Sequence, residues 1–284
     1  MDSRVLPVER VEGPSPSGPP IHRPFYKIHL PHRHAWNVPP AMHRLTYLVG
    51  GAAVMAGAST VVYGPSWPLP MRITLLYVTL VAVLVAVAAS TRATARRCRG
   101  MFGKGPVTGR VPWPFILLLW PYHLCVQIVC WFYRASSGER VFDQIADRLY
   151  LGGWPLSRAM LPSPNCAIVD VTNELLRWVS VPAYRPVLVF ESWAPEPEAM
   201  EAAVEWALGQ QAQGRDVFCH CTHGHGRSAV TAAAILMAMG KADTVEEALA
   251  RLVKARPGVK PNYRQVAMLK EWAGRRSARK HKGT

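Results

Sequence analysis

Residues 216–228 read Asp216-Val-Phe-Cys-His-Cys-Thr-His-Gly-His-Gly-Arg-Ser228, and this stretch decides the fold. A β-rich run ends at His220. A short loop follows, and Ser228 opens the apolar helical run SAVTAAAILMAM, 228–239. A loop between a strand and a helix N-terminus turns successive backbone N–H groups inward. With the helix dipole behind it, such a nest binds a doubly charged anion. Gly224 and Gly226 allow the backbone conformations the loop needs. Thr222, His223, Gly224, His225, Gly226 and Arg227 are therefore the candidate phosphate-binding residues. The same field favours a thiolate at Cys221, with a pKa well below ~8.5. The planar fork of Arg227 matches two phosphate oxygens. A thiolate held against a bound phosphate is a phosphoryl-transfer site.

The surrounding sequence supplies a scaffold for this loop. From Val141 onward, the short β-rich runs LYLGG, CAIVDVT, VLVF and DVFC alternate with helical ones. Glu198–Gln213 closes at Gly214, Thr244 and Glu247 form a capping box, and Pro261 begins the last helix. This alternation predicts an α/β domain over 141–275, with a central sheet covered by helices.

The other half has a different composition. Of the 284 residues, 33 are Lys or Arg and 18 Asp or Glu, a net charge of +15. Residues 1–140 account for +11 of it and also hold the long apolar runs. Residues 1–44 carry nine prolines and no apolar run, which predicts a disordered Pro/His-rich arm and no secretory signal. Leu45–Tyr63 and Ile73–Ser90 are 19 and 18 residues without a charge. Each is long enough to cross a bilayer, so 45–90 reads as an all-α transmembrane hairpin. Residues 91–112 form a basic juxtamembrane segment suited to anionic headgroups. By the positive-inside rule, its six basic residues place both hairpin ends in the cytosol. Cys98 within it is a candidate for palmitoylation or a plain free thiol. Residues 113–133 (WPFILLLWPYHLCVQIVCWFY), interrupted by Pro114, Pro121, His123 and Gln127, read as a re-entrant or interfacial apolar helix. Residues 276–284 are a basic tail. Together these predict a multi-pass membrane protein whose soluble domain faces the cytosol, where a reactive cysteine stays reduced. Six cysteines in this length exclude a disulfide scaffold. The positive charge flanks apolar runs rather than a nucleic-acid motif, so membrane lipids, not nucleic acid, are the expected partner.

The pattern H-C-x-x-G-x-x-R-S, His220 to Ser228, resembles the signature of the cysteine-based protein phosphatases. Residues 141–275 as a whole are similar to a dual-specificity phosphatase domain of membrane-anchored or plant type. FDQIADRLYLGGWP resembles the opening strands, IVDVTNE the next strand, and EEALARLVKARPGVKPNYRQVAMLKEW the C-terminal helices. The mitochondrial phosphatidylglycerophosphate phosphatases are similar over the same length. The resemblance implies that Cys221 is the nucleophile, that Arg227 holds the phosphoryl oxygens, and that Ser228 donates to the departing thiolate. It implies no cofactor and no metal. It also implies a general acid, usually Asp, on a mobile loop upstream of the cysteine. The matching position here is 191, a Glu in VLVFESWAPEPEAM, so Glu191 is the candidate; a second register leaves Glu196 as the substitute. The expected substrates are phosphotyrosine and phosphoserine/threonine proteins. The alternatives are a phospholipid headgroup (phosphoinositide or phosphatidylglycerophosphate) and a non-catalytic phosphate-binding scaffold. His223 and His225 stand where lipid-specific relatives often carry basic residues.

Three further readings concern neighbouring residues. His220 supports the loop from the strand side or is a satisfied core histidine. Cys219 is a small core residue. Cys166, at the start of a neighbouring strand, is a candidate partner for a reversible disulfide with Cys221.

Overall fold

The computed structural model describes residue 51 and residues 54–282. The arm at 1–44 and the first part of the first apolar run lie outside the described residues. The chain is helical through 54–63 (α1) and then makes a 3₁₀ turn at Gly64–Ser66. Helix α2 follows at Leu69–Ser90, then α3 (Arg92–Arg97), α4 (Trp113–Leu118) and α5 (Trp120–Ser137). The α/β part contains β1 (Phe142–Ala146), β2 (Leu149–Gly152), β3 (Cys166–Asp170), β4 (Ala183–Pro186), α6 (Pro197–Ala212), β5 (Asp216–His220), α7 (Arg227–Ala238), α8 (Val245–Ala255) and α9 (Tyr263–Lys282).

The five strands form one sheet in the order β1-β2-β5-β3-β4. Only β1 is antiparallel to its neighbour, and it carries an irregularity between Gln144 and Ala146. The central strands β3 and β5 carry short apolar runs, Cys166–Val169 and Val217–Cys219, as expected where both faces are covered. Their side chains alternate. Ala167, Val169, Val217 and Cys219 enter the large core with α6 to α9, whereas Cys166, Ile168 and Phe218 enter a smaller one with Leu161, Val179 and Val181. Helices thus cover one face, and connecting segments seal the other. Helix α7 is apolar all round and sits between the sheet and its neighbouring helices, which fixes its N-terminus at the end of β5.

Two expected elements are displaced. VLVF does not form a strand: β4 lies just before it, at Ala183–Pro186. After Pro186 the chain leaves the β3 ladder, keeping only Val187 N–H to Asp170 O (2.7 Å) and Asn173 N–H to Val189 O (3.1 Å). The capping box at Thr244 is half made. The Thr244 hydroxyl accepts the Glu247 N–H, but the Glu247 side chain takes the Asp243 N–H instead of that of Thr244.

The membrane expectation is supported only in part. Among the described residues, only Leu69–Ser90 is long and apolar enough to cross a bilayer, so a multi-pass arrangement is not supported, and neither is a cytosolic orientation. This helix begins four residues before the expected run. Pro70 falls in its first turn, where a missing N–H costs nothing. The apolar stretch at 113–133 is two helices, interrupted at Leu119, and the second continues to Ser137. The basic segment at 91–112 is packed on the α/β domain. Phe102 is fully buried against Tyr122 and Phe190 (ring centroids 5.2 and 5.6 Å), and the Lys104 ammonium is buried on the Asp170 carboxylate.

Candidate active site

The loop from Cys221 to Gly226 connects β5 to α7, and its carbonyls are drawn outward. Thr222 O accepts the Trp154 N–H (3.1 Å), His223 O accepts Arg256 Nη2 (2.8 Å), and His225 O accepts the Lys260 N–H (2.9 Å). A trans peptide places its carbonyl and the following N–H on opposite sides. Pinning these three carbonyls therefore sends the N–H groups of His223, Gly224 and Gly226 into the loop. Gly224 has φ +84°, and a Cβ there would lie 2.6 Å from the Gly152 backbone. Only glycine fits such a position. The nest expected from the sequence has a definite mechanical support: the end of β2, Arg256, and the turn before α9.

Cys221 lies on the loop floor and is 5% exposed. Its Sγ receives the Gly224 N–H (3.4 Å) and the Ser228 hydroxyl (3.2 Å). Burial pushes the thiol pKa up. The Arg227 charge and these hydrogen bonds outweigh it, leaving the thiol below its ordinary value.

Arg227, the first residue of α7, is fixed by three hydrogen-bond acceptors and an ion pair. Glu174 Oε2 accepts at 3.0 Å, Val189 O at 2.9 Å and Thr222 Oγ1 at 2.8 Å, and Glu174 Oε1 lies 2.8 Å from Nη2 as an ion pair. Glu174 is almost completely buried, so this is a desolvated ion pair. The sequence reading assigned Glu174 no role. The available signal was an acid a few residues beyond the apolar run Cys166–Val169 of a parallel strand, where ligand-handling groups collect in α/β sheets.

The structure brings Glu191 to this group: its carboxylate is 4.0 Å from Arg227 Nη2. Its surroundings desolvate the carboxyl and raise its pKa. Arg227 opposes the rise and Glu174 adds to it. About half of the side chain is open to solvent, which screens these effects. Glu196 is occupied elsewhere. It is the N-cap of α6, bound by Arg92 on both oxygens and approached by Arg96 at 3.8 Å.

The two loop histidines face outward. The His223 ring lies 4.2 Å from Tyr133, and His225 Nε2 lies 2.8 Å from Glu139 Oε2. Burial, with the charges of His225, Arg134 and Arg227, pulls His223 down to about 4, so it is neutral near pH 7. What His223 offers an anion is its backbone N–H, not a side-chain charge.

His220 is neutral as well. Burial lowers its pKa, its Nδ1 is 3.3 Å from Cys221 O, and its Nε2 is 3.9 Å from Asp170. Cys219 is a fully buried core thiol. The Cys166–Cys221 disulfide is ruled out by register. Cys166 pairs with Asp216, at the opposite end of β5 from Cys221. At ~3.3 Å per residue the two cysteines are roughly 16 Å apart, against the ~6 Å between Cα atoms that a disulfide spans.

Asp170, at the end of β3, anchors a buried network behind the loop. Besides Lys104, it accepts the Tyr184 hydroxyl (2.7 Å) and the Thr172 hydroxyl (2.5 Å). Burial would raise its pKa, but the Lys104 charge and the Thr172 hydroxyl hold the carboxyl below the usual range. Arg256 forms a second anchor, paired with Asp143 (2.7 Å) and Glu139 (3.2 Å) as it holds His223 O. Neither anchor was assigned from the sequence.

Residues 193–275 match the dual specificity phosphatase catalytic domain. That range contains Cys221, Arg227 and Ser228 and begins after Glu174 and Glu191. Among solved structures, PTPMT1 in complex with PI(5)P is 25% identical over 49% of this chain and 98% of its own, with a TM-score of 0.44. A mouse putative dual specificity phosphatase complexed with zinc tungstate is 20% identical over 50% of this chain and 91% of its own, with a TM-score of 0.45. Human DUSP28 is 20% identical over 48% of this chain and 99% of its own, with a TM-score of 0.44. Comparison with the curated proteins gives no match.

Proposed function

We propose that this chain, whose C-terminal domain is of the dual-specificity type within the cysteine-based phosphatase superfamily, hydrolyses phosphate monoesters at a membrane surface through a phosphocysteine. The observation that carries this reading is the Cys221 sulfur, set among inward N–H groups and the fixed Arg227 fork. In the first step Cys221 Sγ attacks phosphorus in line. The S–P bond forms as the P–O bond to the leaving group breaks. The loop N–H groups and Arg227 hold the equatorial oxygens. Glu191 gives its proton to the leaving oxygen. Water then attacks the phosphocysteine, Glu191 takes its proton, and the Ser228 hydroxyl stabilises the departing thiolate.

The resemblance alone would make phosphorylated proteins the substrate. One observation favours a phospholipid headgroup instead. Trp113, Leu117, Trp120, Ile128, Trp131 and Phe132 of α4 and α5 are exposed, beside an α2 whose apolar residues are largely uncovered. Exposed apolar surface on this scale marks an interaction face, and a lipid surface suits its aromatic content. The face leads to the catalytic loop, because Tyr133 at the end of α5 packs on His223. Substrate delivered in the plane of that face would arrive beside Cys221.

The deciding experiment compares wild type with Cys221→Ser on an aryl phosphate, a phosphopeptide, a phosphoinositide and phosphatidylglycerophosphate. Wild type should turn over the aryl phosphate, with the highest kcat/KM on a lipid, and Cys221→Ser should turn over none. Activity surviving in Cys221→Ser would remove the catalytic reading. A clear preference for the phosphopeptide would remove the lipid one.

A further inference from the structure

A cavity of about 460 Å³ lies on the other side of the Glu191 loop, between α3, the β4–α6 connection and the start of α9. Its inner wall is apolar: Val187, Val189, Phe190, Ala199 and Met268. Five arginines also line it, Arg92, Arg96, Arg99, Arg185 and Arg264, against one acid, Glu196. Glu196 is already paired with Arg92 and Arg96, and Arg264 lies over the Trp193 ring at 4.5 Å. Among the described residues, Arg99 and Arg185 have no ion-pair partner. The cavity therefore combines uncompensated positive charge with an apolar wall. A compact inorganic anion would leave the apolar wall unused, and a neutral apolar molecule would leave the arginines unused. Both halves are satisfied by an anionic amphiphile.

The position of the cavity agrees with this. Helix α3 follows directly on the apolar α2, and the Trp193 indole donates to Ala89 O at the end of α2 (3.2 Å). If α2 crosses a bilayer, the arginines stand at headgroup depth. The lining residues Phe190 and Trp193 also flank Glu191 on both sides along the chain.

We infer that this cavity is a second, non-catalytic site for an anionic phospholipid. Its headgroup phosphate is held by Arg99 and Arg185, and the start of an acyl chain lies on the Phe190–Met268 wall. Occupancy steadies the loop that carries Glu191 and raises turnover. The binding half stands independently of the catalytic reading, whereas the turnover half rests on it.

The test uses the full chain in neutral detergent with vanadate present to fill the catalytic loop. Calorimetric titration is carried out with dioctanoyl phosphatidylglycerol, a phosphodiester, and in parallel arms with dioctanoyl phosphatidylcholine and with inorganic phosphate. Phosphatidylglycerol should bind, and the other two at least tenfold more weakly. At ~1 kcal/mol per arginine, Arg99→Ala/Arg185→Ala should weaken phosphatidylglycerol about 30-fold. Ala199→Leu, which fills the cavity from α6, should weaken it too, with an unchanged melting temperature showing that the fold is intact. Unchanged affinity in the double variant, phosphatidylcholine as tight as phosphatidylglycerol, or inorganic phosphate as tight as either, would each overturn the site. Without vanadate, phosphatidylglycerol should raise aryl-phosphate kcat in wild type and not in the double variant, whose lipid-free rate should equal wild type. Binding with no rate change overturns the link to Glu191. An enzyme inactive in every arm, yet still binding, would count against the catalytic reading alone.

Discussion

Replacing Glu174 tests how Arg227 is held. The carboxylate takes two of the guanidinium's contacts, at 3.0 and 2.8 Å, and both partners are almost fully buried. Removing one partner of a buried pair costs ~3–5 kcal/mol, because the remaining charge is left uncompensated. For a protein of this size that is a fall in melting temperature of roughly 6–20 °C. In Glu174→Gln, the carboxamide oxygen can still accept the Nη1 bond, so the loss should lie towards the lower end. The catalytic effect follows from geometry. The remaining partners, Val189 O and Thr222 Oγ1, leave the fork free to turn towards Glu191, 4.0 Å away. A displacement of about 1 Å at a group contacting the transferred phosphoryl can cost ~10²-fold. Glu174→Gln should therefore lower aryl-phosphate kcat/KM about 10²-fold. Inhibition by vanadate, measured alongside, separates two roles. If Glu174 only offset charge, its removal would tighten the dianion; if it positions Arg227, vanadate binding weakens together with kcat/KM. An unchanged kcat/KM, or a rise with tighter vanadate binding, would refute the positioning argument.

Three more outcomes follow from the same geometry. Lys104→Met leaves Asp170 buried without its cation and should lower stability by ~3–5 kcal/mol, read as a loss of melting temperature; a loss under ~1 kcal/mol would show that the 91–112 segment is not integral to the domain. Ser228→Ala removes a hydrogen bond that holds the Cys221 thiol down, so the pH profile of iodoacetate inactivation should move to higher pH; an unmoved profile would place thiolate stabilisation elsewhere. Glu191→Gln should cost roughly 10²–10⁴ in aryl-phosphate kcat, least for leaving groups that need no proton. The sign for pH follows from the two directions. A lowered Cys221 keeps its thiolate to lower pH, a raised Glu191 keeps its proton to higher pH, and both widen the range of the active pair. The variant should lose one of the two ionisations from its kcat/KM profile, and a profile identical to wild type would move the acid elsewhere.

The parts legible in the sequence were those governed by local rules. A β-rich run, a loop with two glycines and an apolar helix can pack in few ways, and they set Cys221, Arg227 and Ser228 relative to one another within one connection. The partners of that loop were not legible, because they arrive from far along the chain. Glu174 is 53 residues from Arg227, Arg256 reaches back to Asp143, and Lys104 crosses to Asp170. Each is one charge in a segment whose local pattern reads as loop or solvated helix, and only burial reveals that it is paired. VLVF misled for a related reason. Its β-branched residues suit a buried, extended segment, but the chain after Pro186 satisfies its backbone partly on the β3 end and partly on Arg227, with no ladder.

That departure from the sheet bears directly on Glu191, the proposed acid. Between β4 and α6 the chain is held by side-chain contacts on both sides instead of by a neighbouring strand. On one side, Val189 O and Glu191 face Arg227. On the other, Phe190 packs on Phe102, Trp193 bonds to the end of α2, and Glu196 ties to Arg92. A segment without ladder hydrogen bonds takes its position from whatever packs on it. The N-terminal helices are therefore part of the support of Glu191, although the α/β domain begins after them. Truncating before Val141 would remove Phe102, Lys104 and Arg92 together, and should cost activity through Glu191 even where the loop itself survives. A truncated domain with full aryl-phosphate kcat would show that the acid is positioned by the α/β domain alone.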